Sequence, residues 1–150
     1  MKIALFPGSF DPVTKGHEDI INRALLLFDK IYIAIGKNCN KTPLFPLEIR
    51  KEWLVKCFGN ESRIEICSYE GLTVDFCKKI NAQFIIRGIR NIEDFQFEKD
   101  IAQANRQLSP DIETVFLATA PEYSYINSGM VRDIYANNGD YKQFLPDRLK

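Results

Sequence analysis

A chain of 150 residues, 45% hydrophobic and 27% charged, has the composition of one soluble globular domain, residues 1–150, long enough to bury its own core. Its 20 basic and 20 acidic residues cancel, so no bulk charge draws it to nucleic acid or to an anionic membrane. No apolar run approaches the ~18 residues of a membrane span, and the first apolar stretch is too short for a secretory leader, so the expectation is a cytoplasmic protein without membrane or nucleic-acid partners.

Taken in chain order, Ile3 to Phe6 predicts a first strand, ended by Pro7-Gly8. His17 to Phe28 reads as a helix with Ile20, Ile21, Ala24, Leu25 and Phe28 on one face. Ile31 to Ile35 is a second strand, and Lys37 to Pro46 a loop broken by Asn38, Asn40, Pro43 and Pro46. Leu47 to Phe58 predicts a helix stopped by Gly59-Asn60, and Arg63 to Cys67 a third strand. Thr73 is expected to cap a helix running to Ile80. Phe84 to Arg87 is a fourth strand, broken by Gly88. Asn91 or Asp94 opens a long helix to about Gln107, closed by Ser109-Pro110. Glu113 to Leu117 is a fifth strand, Asn127-Ser128 opens a last helix to Ala136, and the tail from Asp140 is partly helical.

The first, second and fourth strands are apolar without alternation, as parallel strands covered on both faces must be. Alternation with helices gives right-handed crossovers. The fold class is therefore α/β, a doubly wound, parallel five-stranded sheet. Its ligand belongs at the carboxyl ends of the strands, where the strand order reverses. Cys39, Cys57, Cys67 and Cys77 form no CxxC pair and read as small hydrophobes in a reducing compartment.

Chemistry concentrates at those strand ends. Thr14-Lys15-Gly16-His17 follows the first strand, and it carries the only histidine. At a helix's first turn, backbone N–H groups and the helix dipole favour a negative group, and an imidazole there can donate to phosphate oxygens. Ser9 on the same loop offers a hydroxyl, while Asp11 reads as a turn residue. The dinucleotide fingerprint GxGxxG and the P-loop pattern are both absent. Ile86-Arg87-Gly88-Ile89-Arg90 places two guanidinium forks at the end of the fourth strand, facing the crevice of His17. The plainer reading pairs them with Asp94 or Glu98. Lys41 lies in the loop after the second strand. Pro121 to Gly129 offers hydroxyl, amide and backbone donors before the last helix. Phe95 and Phe97 read as core or as a subunit contact. No metal-ligating cluster and no nucleophile elbow stand out. The residues leave open which acceptor is used, and whether the chain turns over a nucleotide or only binds it.

In order and spacing, Pro7 to Pro12, Thr14 to His17, Ile86 to Arg90, Asp94 to Glu98 and Phe144-Leu145-Pro146 resemble the phosphopantetheine adenylyltransferases of the nucleotidyltransferase superfamily. The resemblance implies a Rossmann-like nucleotidyltransferase fold and the transfer of an adenylyl group from ATP, with magnesium, to 4'-phosphopantetheine, in coenzyme A biosynthesis. It implies a cytoplasmic homohexamer, with dephospho-coenzyme A or coenzyme A as product or feedback ligand. By motif, Ser9, Lys41, Thr73 and Arg87 would hold phosphopantetheine. Ser9, Phe10, His17, Gly88, Ile89, Arg90, Glu98, Tyr123, Ser124, Tyr125, Ile126, Asn127, Ser128 and Gly129 would hold ATP, and His17 would stabilise the transition state. One departure stands out: where the family's last loop reads Ile-Ser-Ser-Ser/Thr, this chain has Ile126-Asn127-Ser128-Gly129, with two hydroxyls replaced by an amide and by nothing.

Overall fold

Strands β1 (Ile3–Gly8), β2 (Lys30–Gly36), β3 (Ile64–Tyr69), β4 (Phe84–Ile89) and β5 (Glu113–Ala118) form one parallel sheet in the order β3-β2-β1-β4-β5. Helices α1 (Lys15–Ala24), α2 (Leu47–Phe58), α3 (Thr73–Lys79), α4 (Ile92–Leu108) and α5 (Ser128–Ala136) follow the five strands in turn. The computed structural model describes residues 1–38 and 40–150; the expectation of a reduced thiol at Cys39 lies outside the described residues. The expected α/β class, the parallel pairing and the count of five strands all hold.

Both faces of the sheet are covered. On one, Phe6, Ile33, Ile35 and Ile86 pack with Ile20, Ile21 and Ala24 of α1 and Leu54 of α2. On the other, Leu5, Ala34 and Ile85 pack with Val74 and Cys77 of α3. That two-sided burial is why these strands carry no polar alternation. Cys57, Cys67 and Cys77 are free thiols, and burial pushes Cys57 and Cys77 up to about 12.

The topology opens a crevice. After β3 the chain returns past β1 to place β4 on its other side, so β1 and β4 flank the switch point. β1 pairs with β2 along six residues, Ile3 to Gly8, but with β4 only at Ala4 and Leu5. Beyond Leu5 the two central strands part. This explains the first correction to the sequence reading: Pro7-Gly8 does not end β1. Pro7 lacks an N–H, but it sits where no ladder bond to β4 is needed, and its carbonyl is taken by the Arg87 side chain at 2.6 Å.

Other boundaries shift for local reasons. Gly88 continues β4 because β5 pairs with it through Leu117. A Cβ at Gly88 would come within 3.1 Å of Ile20 Cγ1, so the glycine lets α1 pack against the strand. α1 begins two residues before His17 and ends at Ala24, although Phe28 remains in the core. Thr73 does not cap α3; Leu72 occupies the cap, and the Thr73 hydroxyl bonds the Tyr69 hydroxyl at 2.9 Å. Asn91, not Asp94, caps α4.

Candidate active site

The loop from Ser9 to Thr14, between β1 and α1, forms the floor of the crevice, and four parts of the chain clamp it. The Asp11 carboxylate accepts from the backbone N–H groups of Leu44 and Phe45 at 2.8 and 2.9 Å. Arg50, buried, donates to the carbonyls of Phe45 and Ser9 at 2.9 and 2.7 Å. Ser128 Oγ donates to Pro12 O at 2.8 Å, and Arg132 Nη1 to Asp11 O at 2.9 Å. Phe10 adopts φ +46°, a left-handed conformation rare for a bulky side chain. Its ring is 2% exposed, edge-on to Phe6 and 5.0 Å from the His17 ring. A Cβ at Gly8 would press on that ring at 3.1 Å, so a glycine as the last residue of β1 leaves room for the ring.

His17 stands at the third position of α1, in a capping box with Thr14. The Thr14 backbone N–H donates to His17 Nδ1 at 3.0 Å, and the Thr14 hydroxyl accepts from the His17 backbone N–H at 3.4 Å. Nδ1 is thus an acceptor, which puts the ring proton on Nε2. Burial lowers the imidazole to about 4, with help from Arg87 and Arg90. At neutral pH His17 is an uncharged Nε2–H donor in the cavity wall.

The arginines are fixed by ion pairs. Arg87 Nε and Nη2 donate to the Glu98 carboxylate at 2.8 and 2.6 Å. Arg90 Nε and Nη2 donate to Asp94 at 2.8 and 3.1 Å. Both the pairing and the crevice position foreseen from sequence therefore coexist. Glu98 is 9% exposed and belongs to Arg87, not to Arg90.

Two lobes meet in the crevice. The first, about 550 Å³, is lined by Ser9, Lys41, Thr73 and Arg87 with Tyr69, Phe97 and Ile101. The second, about 470 Å³, is lined by Ser9, Phe10, His17, Gly88, Arg90 and the run Ile126 to Gly129. Pro7, Gly8, Ser9, Arg87 and Glu98 line both and make a shared wall. The four residues expected to hold an acceptor fall in the first lobe, and most of those expected to hold a nucleotide fall in the second.

Four expected nucleotide contacts do not line it. Ile89 stays in the ladder of β4, its carbonyl accepting from Thr119. Pro121–Tyr123 winds into a turn of 3-10 helix that the sequence reading did not contain. Tyr123 packs on the small cluster of Ile126, Val131 and Leu145, Ser124 Oγ bonds Pro121 O, and Tyr125 is exposed beside Phe144. In the other direction, sequence reasoning missed Arg132, Thr119 and Tyr69, which line the lobes, and Arg50, which holds the floor. Only Arg132 left a signal, one helical turn after Ser128 on the same face.

The cytidylyltransferase-like family model matches residues 5–134 of this chain. A phosphopantetheine adenylyltransferase of Flavobacterium psychrophilum is 53% identical over 100% of this chain and 99% of its own length. The same-named protein of Cytophaga hutchinsonii is 49% identical over 99% of both, and that of Clostridium perfringens 42% over 99% and 91%. Among solved structures, a bifunctional NMN adenylyltransferase/ADP ribose pyrophosphatase from Francisella tularensis superposes with TM-score 0.72 at 21% identity. It does so over 96% of this chain but only 44% of that longer one, a likeness of fold. With a family model spanning most of its length and relatives 42–53% identical along nearly all of it, the chain belongs to the cytidylyltransferase-like family and, within it, to the phosphopantetheine adenylyltransferases.

Proposed function

We propose that this chain transfers the adenylyl group of ATP to 4'-phosphopantetheine, giving 3'-dephospho-coenzyme A and pyrophosphate, as a step of coenzyme A biosynthesis. The observation that carries the reading is the shared wall: a basic, partly apolar lobe and a phosphate-suited lobe meet at Ser9 and Arg87, with the Nε2–H of His17 beside them.

The acceptor's phosphate lies in the first lobe against Lys41, Arg87 and Thr73, its flexible arm along Tyr69, Phe97 and Ile101. ATP occupies the second. An oxygen of the acceptor phosphate, already anionic, attacks the α-phosphorus in line. The bond from that phosphorus to the bridging oxygen breaks, and its electron pair leaves with pyrophosphate. No covalent intermediate on the protein is required, so the protein's work is positioning and charge stabilisation. His17 donates from Nε2 to the α-phosphate as charge gathers there. Its low basicity keeps it an uncharged donor and not a further cation beside the arginines.

Magnesium enters as part of the nucleotide substrate. The two carboxylates of the second lobe are already engaged by arginines, and no group of three His, Cys, Asp or Glu side chains converges among the described residues. That donor set suits an ion held by phosphate oxygens and its own waters, and it supplies neutralisation of the triphosphate. Dephospho-coenzyme A, spanning both lobes, is the product, and coenzyme A fits as a feedback ligand of the same crevice. The homohexamer implied by the family resemblance needs subunit contacts, and α4 offers a face for one: of its side chains only Glu98 is buried, while Ile92, Phe95, Phe97 and Leu108 are exposed. Among the described residues no helix is long and apolar enough to cross a membrane, which accords with a cytoplasmic enzyme.

Pyrophosphate release, measured with ATP and each of phosphopantetheine, nicotinamide mononucleotide and glycerol phosphate, tests the reading. The expected result is turnover with phosphopantetheine alone. Preference for another acceptor would overturn it.

A further inference from the structure

A pair of hydroxyls in the first lobe has a proton to spare. Tyr69 is the last residue of β3 and lies opposite Gly36 in the ladder, where its carbonyl accepts from the Lys37 backbone N–H at 2.9 Å. Its ring stacks on Phe76 of α3, with centroids 4.9 Å apart and planes 11° from parallel. A Cβ at Gly36 would touch the ring at 3.4 to 3.5 Å, so the phenol lies directly against the glycine. These contacts aim the phenol oxygen at Thr73, whose hydroxyl stands 2.9 Å away.

Thr73 opens α3 but spends nothing on capping it: Leu72 holds the cap position, and no side chain bonds there. Among the described residues, neither the Tyr69 nor the Thr73 hydroxyl has a further hydrogen-bond partner. Two hydroxyls carry two protons, and the bond between them uses one. The phenol is the more acidic of the two and its oxygen the weaker acceptor, so Tyr69 is the donor of the pair. Burial holds its hydroxyl above the usual phenol range, so the proton stays on at neutral pH. The spare proton is then that of Thr73, in the wall of a lobe that both residues line together with Lys41 and Arg87. An anion there takes its bond from Thr73, whose oxygen accepts from Tyr69, and each bond polarises the next.

Resting on the acceptor reading above, we propose that Tyr69 is a positioning residue that reads the phosphorylated end of the acceptor through Thr73. Its hydroxyl donates to Thr73 Oγ1 and turns the Thr73 proton toward the acceptor's phosphate. The cations of the lobe attract any anion; the relay adds a donor whose direction is set before the ligand arrives. An acceptor lacking the phosphate leaves the Thr73 proton with no anion to meet.

Calorimetric titration of wild-type, Y69F, T73V and Y69F/T73V protein with 4'-phosphopantetheine, pantetheine, glycerol phosphate and ATP tests this, with melting temperature recorded for each variant. Y69F keeps the ring. It is expected to weaken phosphopantetheine by roughly 3- to 10-fold, the worth of one neutral hydrogen bond, and to leave pantetheine and ATP within about 2-fold. T73V loses the donor to a charged group and is expected to cost roughly 10- to 100-fold, whereas T73S keeps the hydroxyl and should stay within about 3-fold of wild type. Because Tyr69 acts through Thr73, the double variant should bind no more weakly than T73V alone. An unchanged Y69F, an equal loss for pantetheine, or additive losses in the double variant would overturn the relay. A lower melting temperature with losses for every ligand would overturn it too, as a defect of packing. Glycerol phosphate bound in place of phosphopantetheine, with the same Y69F loss, sinks the acceptor reading and leaves the relay standing; a phosphopantetheine-specific chain indifferent to Y69F does the reverse.

Discussion

The two lobes of the crevice share a wall and are built on opposite principles. The nucleotide lobe is made of short turns locked by hydrogen bonds: the Thr14–His17 capping box, the Arg90–Asp94 pair, the Asn127 cap and the pinned loop of Asp11. These groups are aimed before a ligand arrives, which is the arrangement that stabilises developing charge most cheaply. The acceptor lobe is looser. Besides Arg87, its cations sit on a loop, at Lys37 and Lys41, and part of its wall is Phe97, 67% exposed on a helix that lacks its own apolar cover. Rigid chemistry is thus set against a permissive channel for a flexible substrate.

Breaking the rigid side has the largest expected effect. His17→Ala removes one preorganised donor and should lower turnover by on the order of 10² to 10³, with binding of both substrates largely kept; near-normal steady-state turnover would refute the role. Next, Arg87→Ala strikes the shared wall. It should weaken both ligands, each by roughly 10-fold or more, and it leaves the buried Glu98 without its partner, so a lower melting temperature is expected as well. Lys41→Ala should separate the lobes: a loss of about 10-fold for phosphopantetheine with little change for ATP, read by titrating each ligand alone. Equal losses would show that the lobes are not independent.

The smallest expected effect is on stability. The unfolded chain binds a proton at its histidine near 6.5, whereas folded His17 resists protonation until about 4. Protonation in that window favours the unfolded chain, so His17's contribution is complete above pH 6.5 and is lost as pH falls toward 4. His17→Gln should flatten the pH dependence there. Because the chain has a single histidine, one imidazole resonance reports the titration; a midpoint near 6.5 would contradict the buried, neutral ring.

Much of the frame was legible because it depends on local chemistry. α2 runs from Leu47 to Phe58 and α5 from Ser128 to Ala136, as their punctuation at Pro46, Gly59 and Asn127 predicted. Burial on both faces leaves a continuous apolar run, which is why Ile31 to Ile35 could be recognised as a central strand. The reading slipped where a local breaker is overruled. Pro7 and Gly8 remain in β1, and Gly88 in β4, because neighbouring strands accept them.

At the site, the residue types and their strand-end placement were visible in the chain, since a parallel α/β order dictates where loops gather. Which of them meet was not. The tie from Arg87 to Glu98, 11 residues away, and the reach of Arg132 back to Asp11, 121 residues away, are contacts across a folded crevice. The state of His17 depends on how deeply its ring is enclosed and on two guanidiniums brought beside it. Sequence alone determined the alternating elements, the parallel sheet and the cast of phosphate-binding residues, because spacing and polarity act over one or two turns of chain. Tertiary structure decided which charges cancel, which donor stays neutral and which carbonyls the arginines hold, because electrostatic energy depends on distance in space and on exclusion of water.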